Sequence, residues 1–181
     1  MNLCFDALDR QVIAGRADEP ALVDATASWT VARLLEEVGA LGGAMRGLGV
    51  VPGSRVGIGV ADDRTRLVGG LAALRLGAVP VLDGDVDDPA LLLVDVAPDA
   101  DATTAPAVLV AGDGPTVVET RDLALPVALR AGRTDPAPVD DPPDGVPAYV
   151  QGERHVHDVE DETFLGRAVS ALLAGGVVDL R

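Results

Sequence analysis

Val56-Gly57-Ile58-Gly59-Val60, then Asp62-Asp63, a run carrying Leu67, Val68, Leu71 and Leu74 that breaks at Gly77, then Ala78-Val79-Pro80-Val81-Leu82, is the stretch whose reading decides the fold. Val56, Ile58 and Val60 recur at the period of two that a strand requires, whereas the next apolar residues fall at helical spacing behind an aspartate placed to cap a helix. Residues 78–82 are apolar throughout, as a strand buried on both faces must be. A strand, a helix and a second strand with short connections form a crossover unit, which makes the two strands parallel.

Outward from this unit the alternation continues. Upstream, Asn2 is placed to cap a helix carrying Leu3, Phe5, Leu8 and Val12, which Gly15 closes, and Ala21 to Asp24 reads as a strand. Thr30 is the next N-cap, and Val31, Leu34, Leu35, Val38, Leu41, Met45 and Leu48 keep one apolar face until Gly49. Gly39, Gly42 and Gly43 each cost that helix about 1 kcal/mol relative to Ala, a cost tolerated where a neighbouring element packs closely. Downstream, a helix is expected from Pro89, capped by Asp88, through Leu91, Leu92 and Leu93 to Ala97, followed by strands at Ala107 to Val110 and Thr116 to Thr120. Tyr149 lies in a further short strand, a polar connection runs through His157, and a last helix capped by Asp158 carries Phe164, Leu165, Val169, Leu172 and Leu173 to Gly175. The fold class that follows is α/β, a layered domain built on a parallel sheet with helices on both faces. Its organisation is a scaffold over residues 1–130, a Pro- and Asp-rich linker or surface loop over 131–147, and a strand and helix over 148–181 that pack back on the same domain.

Composition excludes several functions. Of 181 residues 48% are hydrophobic but only 2% aromatic, so Ala, Val and Leu build the core. The net charge is −15, with 29 carboxylates against 14 basic residues, and such a field repels nucleic acid and anionic membrane surfaces. All 14 basic residues are Arg. No lysine is present to form a Schiff base or to steady a phosphate. Cys4 is the single cysteine, so no internal disulfide forms, and a reducing, cytoplasmic location is expected. With no basic partner nearby in sequence, Cys4 reads as an apolar contact and not as a nucleophile.

Four stretches together resemble the N-terminal region of AMP-forming acyl-CoA synthetases of the adenylate-forming superfamily, above all the acetyl- and propionyl-CoA synthetase branch. They are Asn2 to Arg10, Trp29 to Leu35, Leu48 to Val56 with its Pro52-Gly53 turn, and Leu74 to Val79, in matching order and spacing. Beyond residue 82 the match thins, although Val146 to Val150 resembles the strand that leads into the family's phosphate loop. Here Val150 is followed at once by Gln151-Gly152-Glu153-Arg154-His155-Val156-His157, a spacing that such synthetases show just after the loop. The resemblance therefore implies that the loop is deleted and that Gln151 stands at the position of its lysine. Gln151, Gly152, His155 and His157 become a degenerate remnant of the phosphate-binding segment. It also implies that the segments contacting AMP and the adenylation lysine lie beyond Arg181, so that no catalytic residue, cofactor site or metal site is expected.

Other motifs have plainer readings. His155 and His157 have the i, i+2 spacing of some metal sites, with Glu153 or Asp158 nearby, but a clear third ligand is lacking. Asp83-Gly84-Asp85-Val86-Asp87-Asp88 imitates the start of a calcium loop without its sixth-position Gly or its twelfth-position Glu. Gly57-Ile58-Gly59 lacks the third glycine of a dinucleotide loop, and Asp62 and Asp63 would occupy the phosphate position, so the glycines read as packing residues. Gly112 to Pro115 reads as a turn between strands, and Ser28, Ser54 and Ser170 occupy cap, turn or helix positions. The expectation is a non-catalytic, truncated synthetase-like protein, a remnant or an interaction domain that binds a synthetase-like partner or itself. The alternatives are the N-terminal subunit of a split ligase and a stand-alone domain that binds an acyl or adenylate ligand.

Overall fold

A computed structural model describes residues 1–159 and 162–181. Asn2 caps the first helix by accepting from the Phe5 amide at 3.1 Å, and a π-helical turn, Phe5–Asp9, runs into α1, Arg10–Ile13. Then come β1, Pro20–Val23, β2, Ser28–Thr30, and α2, Val31–Gly47, capped by Thr30. The unit that decided the fold is β3, Arg55–Gly59, α3, Asp63–Arg75, and β4, Val79–Leu82, with Asp62 as the cap. They are followed by β5, Leu91–Val94, β6, Val108–Val110, β7, Asp122–Ala124, and α4, Leu125–Gly132. The remaining elements are β8, Tyr149–Gln151, β9, Arg154–Val156, α5, Phe164–Leu173, and β10, Val178–Asp179.

The expected α/β class is present as a seven-stranded sheet, ordered β7-β6-β5-β3-β4-β8-β9 and parallel throughout except at β9, but its helices pack against one face and not against both as expected. A second sheet, β10-β1-β2, packs against α2 and α5. The two faces of the large sheet differ. Val56, Ile58, Leu91, Leu93 and Leu109 join one large core with the buried residues of α2, α3, α4 and α5. Val79, Val81, Val108, Val110 and Val150 point the other way, into two small clusters completed by Val86, Ala97, Ala105 and Val146, all on loops.

Topology explains the difference. The crossover from β3 to β4 contains α3, whereas those from β4 to β5, β5 to β6 and β6 to β7 run through residues 83–90, 95–107 and 111–121 with no helix. The helix expected over 89–97 is therefore β5. Its apolar run is short enough to suit either state, and Leu91 and Leu93 bury in the large core while Leu92 and Val94 face the loops. Asp88 has φ +49°, far from N-cap geometry. The strand expected at 116–120 is also absent, because Asp122 Oδ2 accepts from both the Val117 and Val118 amides at 2.8 Å and curls that segment into a turn. The cap of α5 is Thr163, which accepts from the Gly166 amide at 3.0 Å, and not Asp158.

The glycines of α2 split by function. A Cβ at Gly43 would lie 2.3 Å from the Asp135 carbonyl oxygen, and one at Gly42 would lie 2.8 Å from Ala137 Cβ. At Gly39 the nearest atom would be 3.6 Å away, and at Gly47 nothing lies within 4 Å. The facing position on α4 is tighter still, since a Cβ on Gly132 would overlap the Ala40 carbonyl. The Pro- and Asp-rich segment after α4 is held here mainly by polar contacts: the Ala137 amide donates to Gly39 O, the Asp140 amide to Arg75 O, and Arg75 Nε to Ala137 O, each at 2.9 Å.

Two outcomes test this packing. Gly43→Ala is expected to destabilise the protein by about 1–3 kcal/mol, whereas Gly47→Ala, which gains helix propensity in open space, is expected to stabilise it by about 0.5–1 kcal/mol. Urea unfolding of both variants decides, and equal effects would contradict the close approach. Asp122, fully buried at its side chain, is held below the usual carboxylate range by the Arg121 guanidinium and then by the two amides it accepts. Its stabilisation is present above the unfolded carboxylate value of about 3.9 and disappears as pH falls through the lower folded value. Asp122→Asn is therefore expected to cost about 1–3 kcal/mol at pH 7, with the gap to the parent narrowing below about pH 4. A gap that does not change with pH would contradict the assignment.

Candidate functional site

The carboxyl ends of parallel strands are where open α/β sheets hold ligands, because loops diverge there and leave a crevice. Two features occupy that edge here. The first is the hairpin of β8 and β9. Gln151 pairs with Arg154, so only Gly152 and Glu153 form the turn, and φ of +60° at Gly152 supplies the reversal that a two-residue hairpin needs.

The Gln151 side chain is committed at both ends. Its Nε2 donates to Asp83 Oδ2 at 2.9 Å, and its Oε1 accepts from the Phe164 amide at 3.1 Å. Asp83 in turn pairs with Arg66, whose guanidinium lies 4.8 Å from the centre of the Phe164 ring. These contacts close a circuit that fastens the ends of β4 and β8 to the first turns of α3 and α5. The following turn is equally occupied: the Gly152 amide donates to Leu82 O at 2.8 Å, and a Cβ on Gly84 would lie 2.9 Å from Gly152 O. Backbone and a carboxylate thus fill the ground beside the hairpin.

The second feature is a cleft of about 720 Å³ on the loop-covered face, near the ends of β3 and β5. Its floor includes Gly57, Gly59, Leu92 and Val94, and Asp83, Asp85 and Asp95 stand among its lining residues. Arg66 is the one basic residue lining it among the described residues, and it faces Asp83. A Cβ on Gly57 would meet Leu92 Cδ2 at 2.5 Å and Val86 at 2.8 Å, so this glycine permits close packing of a loop and a neighbouring strand, on the face away from α3.

The other sequence candidates disperse. His155 and His157 are both exposed on either side of buried Val156, and neither lines the cleft. Among the described residues no group of three or more His, Cys, Asp or Glu side chains could hold a metal ion. In the calcium-like segment Asp83 is taken by Arg66 and Gln151, and Asp87 approaches Arg55 at 3.9 Å. Cys4 is fully buried, and desolvation pushes its thiol up to about 12 despite the opposing charge of Arg75. Among the described residues, no helix is long and apolar enough to cross a membrane. Sequence reasoning picked out Gln151 and Gly152 but missed Asp83 and Arg66 as their neighbours. Nothing local marks that pairing, since it depends on β4 and β8 lying side by side.

No protein-family profile matches the chain. The uncharacterized protein PA3568 of Pseudomonas aeruginosa is 40% identical over 85 residues, which is 44% of this chain and 14% of that protein. Among solved structures, the anthranilate CoA ligase AuaEII in complex with anthranoyl-AMP superposes with a TM-score of 0.61 at 20% identity, over 78% of this chain and 30% of that one. At that identity the likeness is one of fold, shared with part of that ligase. The chain spans less than a third of either protein's length.

The state of Cys4 is directly measurable. Native protein at pH 8 is expected to leave the thiol unmodified by iodoacetamide, and unfolded protein to react fully. Rapid labelling of the native chain would contradict its burial.

Proposed function

We propose that this chain is a non-catalytic scaffold of the adenylate-forming type, which acts by binding another polypeptide and does not activate a carboxylate itself. The observation that carries this reading is the two-residue turn at Gly152 and Glu153. A phosphate cradle needs several backbone amides converging on an anion, usually with a cation beside them. A turn this short offers no such ring, its Gly152 amide is bonded to Leu82, and the side-chain amide of Gln151 donates to the carboxylate of Asp83. The complete absence of lysine supports the same reading.

A second reading is a split ligase, in which another polypeptide supplies the nucleotide site. The likeness in fold to a CoA ligase supports it. The two readings separate when the chain is co-expressed with candidate partners, because only the split enzyme gains activity.

For the chain alone, exchange of labelled pyrophosphate into ATP with acetate, propionate or anthranilate is expected to stay at background. Gln151→Lys is expected to stay there too, since a lysine without its loop has no phosphate to hold. Exchange above background by the purified parent chain would overturn the proposal.

A further inference from the structure

A parallel sheet normally has helices over both faces, because each crossover lays one there. Here three successive crossovers have none, and the face they pass over carries only loops. Those loops are peculiar in charge. Between Arg75 and Arg121 the sequence has eight aspartates, one glutamate and no basic residue, which is −9 of the chain's net −15. The cleft on this face therefore joins an apolar floor at Leu92 and Val94, both only partly buried, to an acidic rim at Asp83, Asp85 and Asp95. Arg66 offsets the charge of Asp83, which leaves Asp85 and Asp95 as the rim carboxylates without a guanidinium partner among the described residues, while Arg55 lies near Asp87 and Arg121 is held by Asp122 and the Pro98 carbonyl.

We propose that this face docks a cationic amphipathic helix of a partner polypeptide, with one or two apolar side chains seated over Leu92 and Val94 and Lys or Arg residues along the rim. Charge decides between occupants. A second copy would set one acidic rim against another, and a nucleic acid or anionic lipid would meet the same repulsion. An apolar helix with basic flanks gains from both features of the cleft, in the groove-binding mode that amphipathic helices use. The inference rests on the scaffold reading above and specifies the surface through which such a scaffold binds.

The probe is a fluorescein-labelled synthetic helix of Leu and Lys, with an otherwise identical Leu and Glu peptide as its counterpart, followed by anisotropy at about 0.15 M salt. Saturable binding of the Lys peptide alone is expected, weakened at least tenfold in the Asp85→Lys/Asp95→Lys double variant, both positions lining the cleft, and in Leu92→Glu. Asp18→Lys/Asp144→Lys changes the net charge equally at exposed positions outside the cleft lining, and is expected to bind as the parent does. Circular dichroism checks that each variant folds, and the two charge variants decide the matter if Leu92→Glu does not. Equal weakening by the two double variants would reduce the effect to net charge and overturn the proposal. Absence of binding, or a dimer by light scattering that Leu92→Glu dissolves, would overturn it as well. A chain that binds no peptide and also exchanges no pyrophosphate leaves the non-catalytic reading in place, whereas exchange activity removes that reading whatever the peptide does.

Discussion

Parallel strands can be joined only by a chain segment that crosses over one face of the sheet, and what that segment contains decides how the face is covered. In this protein the crossover between β3 and β4 contains α3, and α2, α4 and α5 pack into the same core. The crossovers from β4 to β7 contain no helix, so the opposite face relies on Val86, Ala97, Ala105 and Val146 reaching in from loops. Loops cover less than helices do, and the cleft over Gly57, Gly59, Leu92 and Val94 is what they leave uncovered. The glycine contacts between α2, α4 and the segment after α4 make the other face correspondingly tight.

Much of this was legible in the sequence where local chemistry is strong. The caps at Asn2, Thr30 and Asp62, the long apolar face of α2 and the apolar run of β4 all mark their elements without help from distant residues. The failures share a cause. Leu91 to Val94 is too short for its periodicity to separate a strand from a helix, and it becomes a strand because β3 and β6 lie on either side of it. The amides of Val117 and Val118 are captured by a carboxylate several residues later, a contact that only the folded loop creates. β10 was missed for the same reason, since so short a strand exists only by pairing with β1 at the other end of the chain. Within the candidate site, Gln151 was visible as an anomaly of spacing, whereas its fastening to Asp83 and Phe164 required the sheet order.

The hairpin and the acidic face answer one electrostatic question. An adenylating site must gather positive potential around a polyphosphate, from backbone amides, helix ends or cations. Along the carboxyl edge of this sheet the chain has done the reverse. Asp83, Asp85 and Asp95 line the cleft, the remaining cation there is paired, and the turn at Gly152 uses its amide within the sheet. The fold is shared with part of a ligase seen with an acyl-adenylate, but three carboxylates line the cleft at this edge against one guanidinium among the described residues.

Direct binding tests the proposal that this edge holds no nucleotide, without reliance on turnover. Amide nuclear magnetic resonance spectra of the labelled protein, recorded with and without millimolar ATP and magnesium, should leave the resonances of Gln151, Gly152, Glu153 and Asp83 unmoved. Saturable shifts centred on the Gly152 turn would contradict the account.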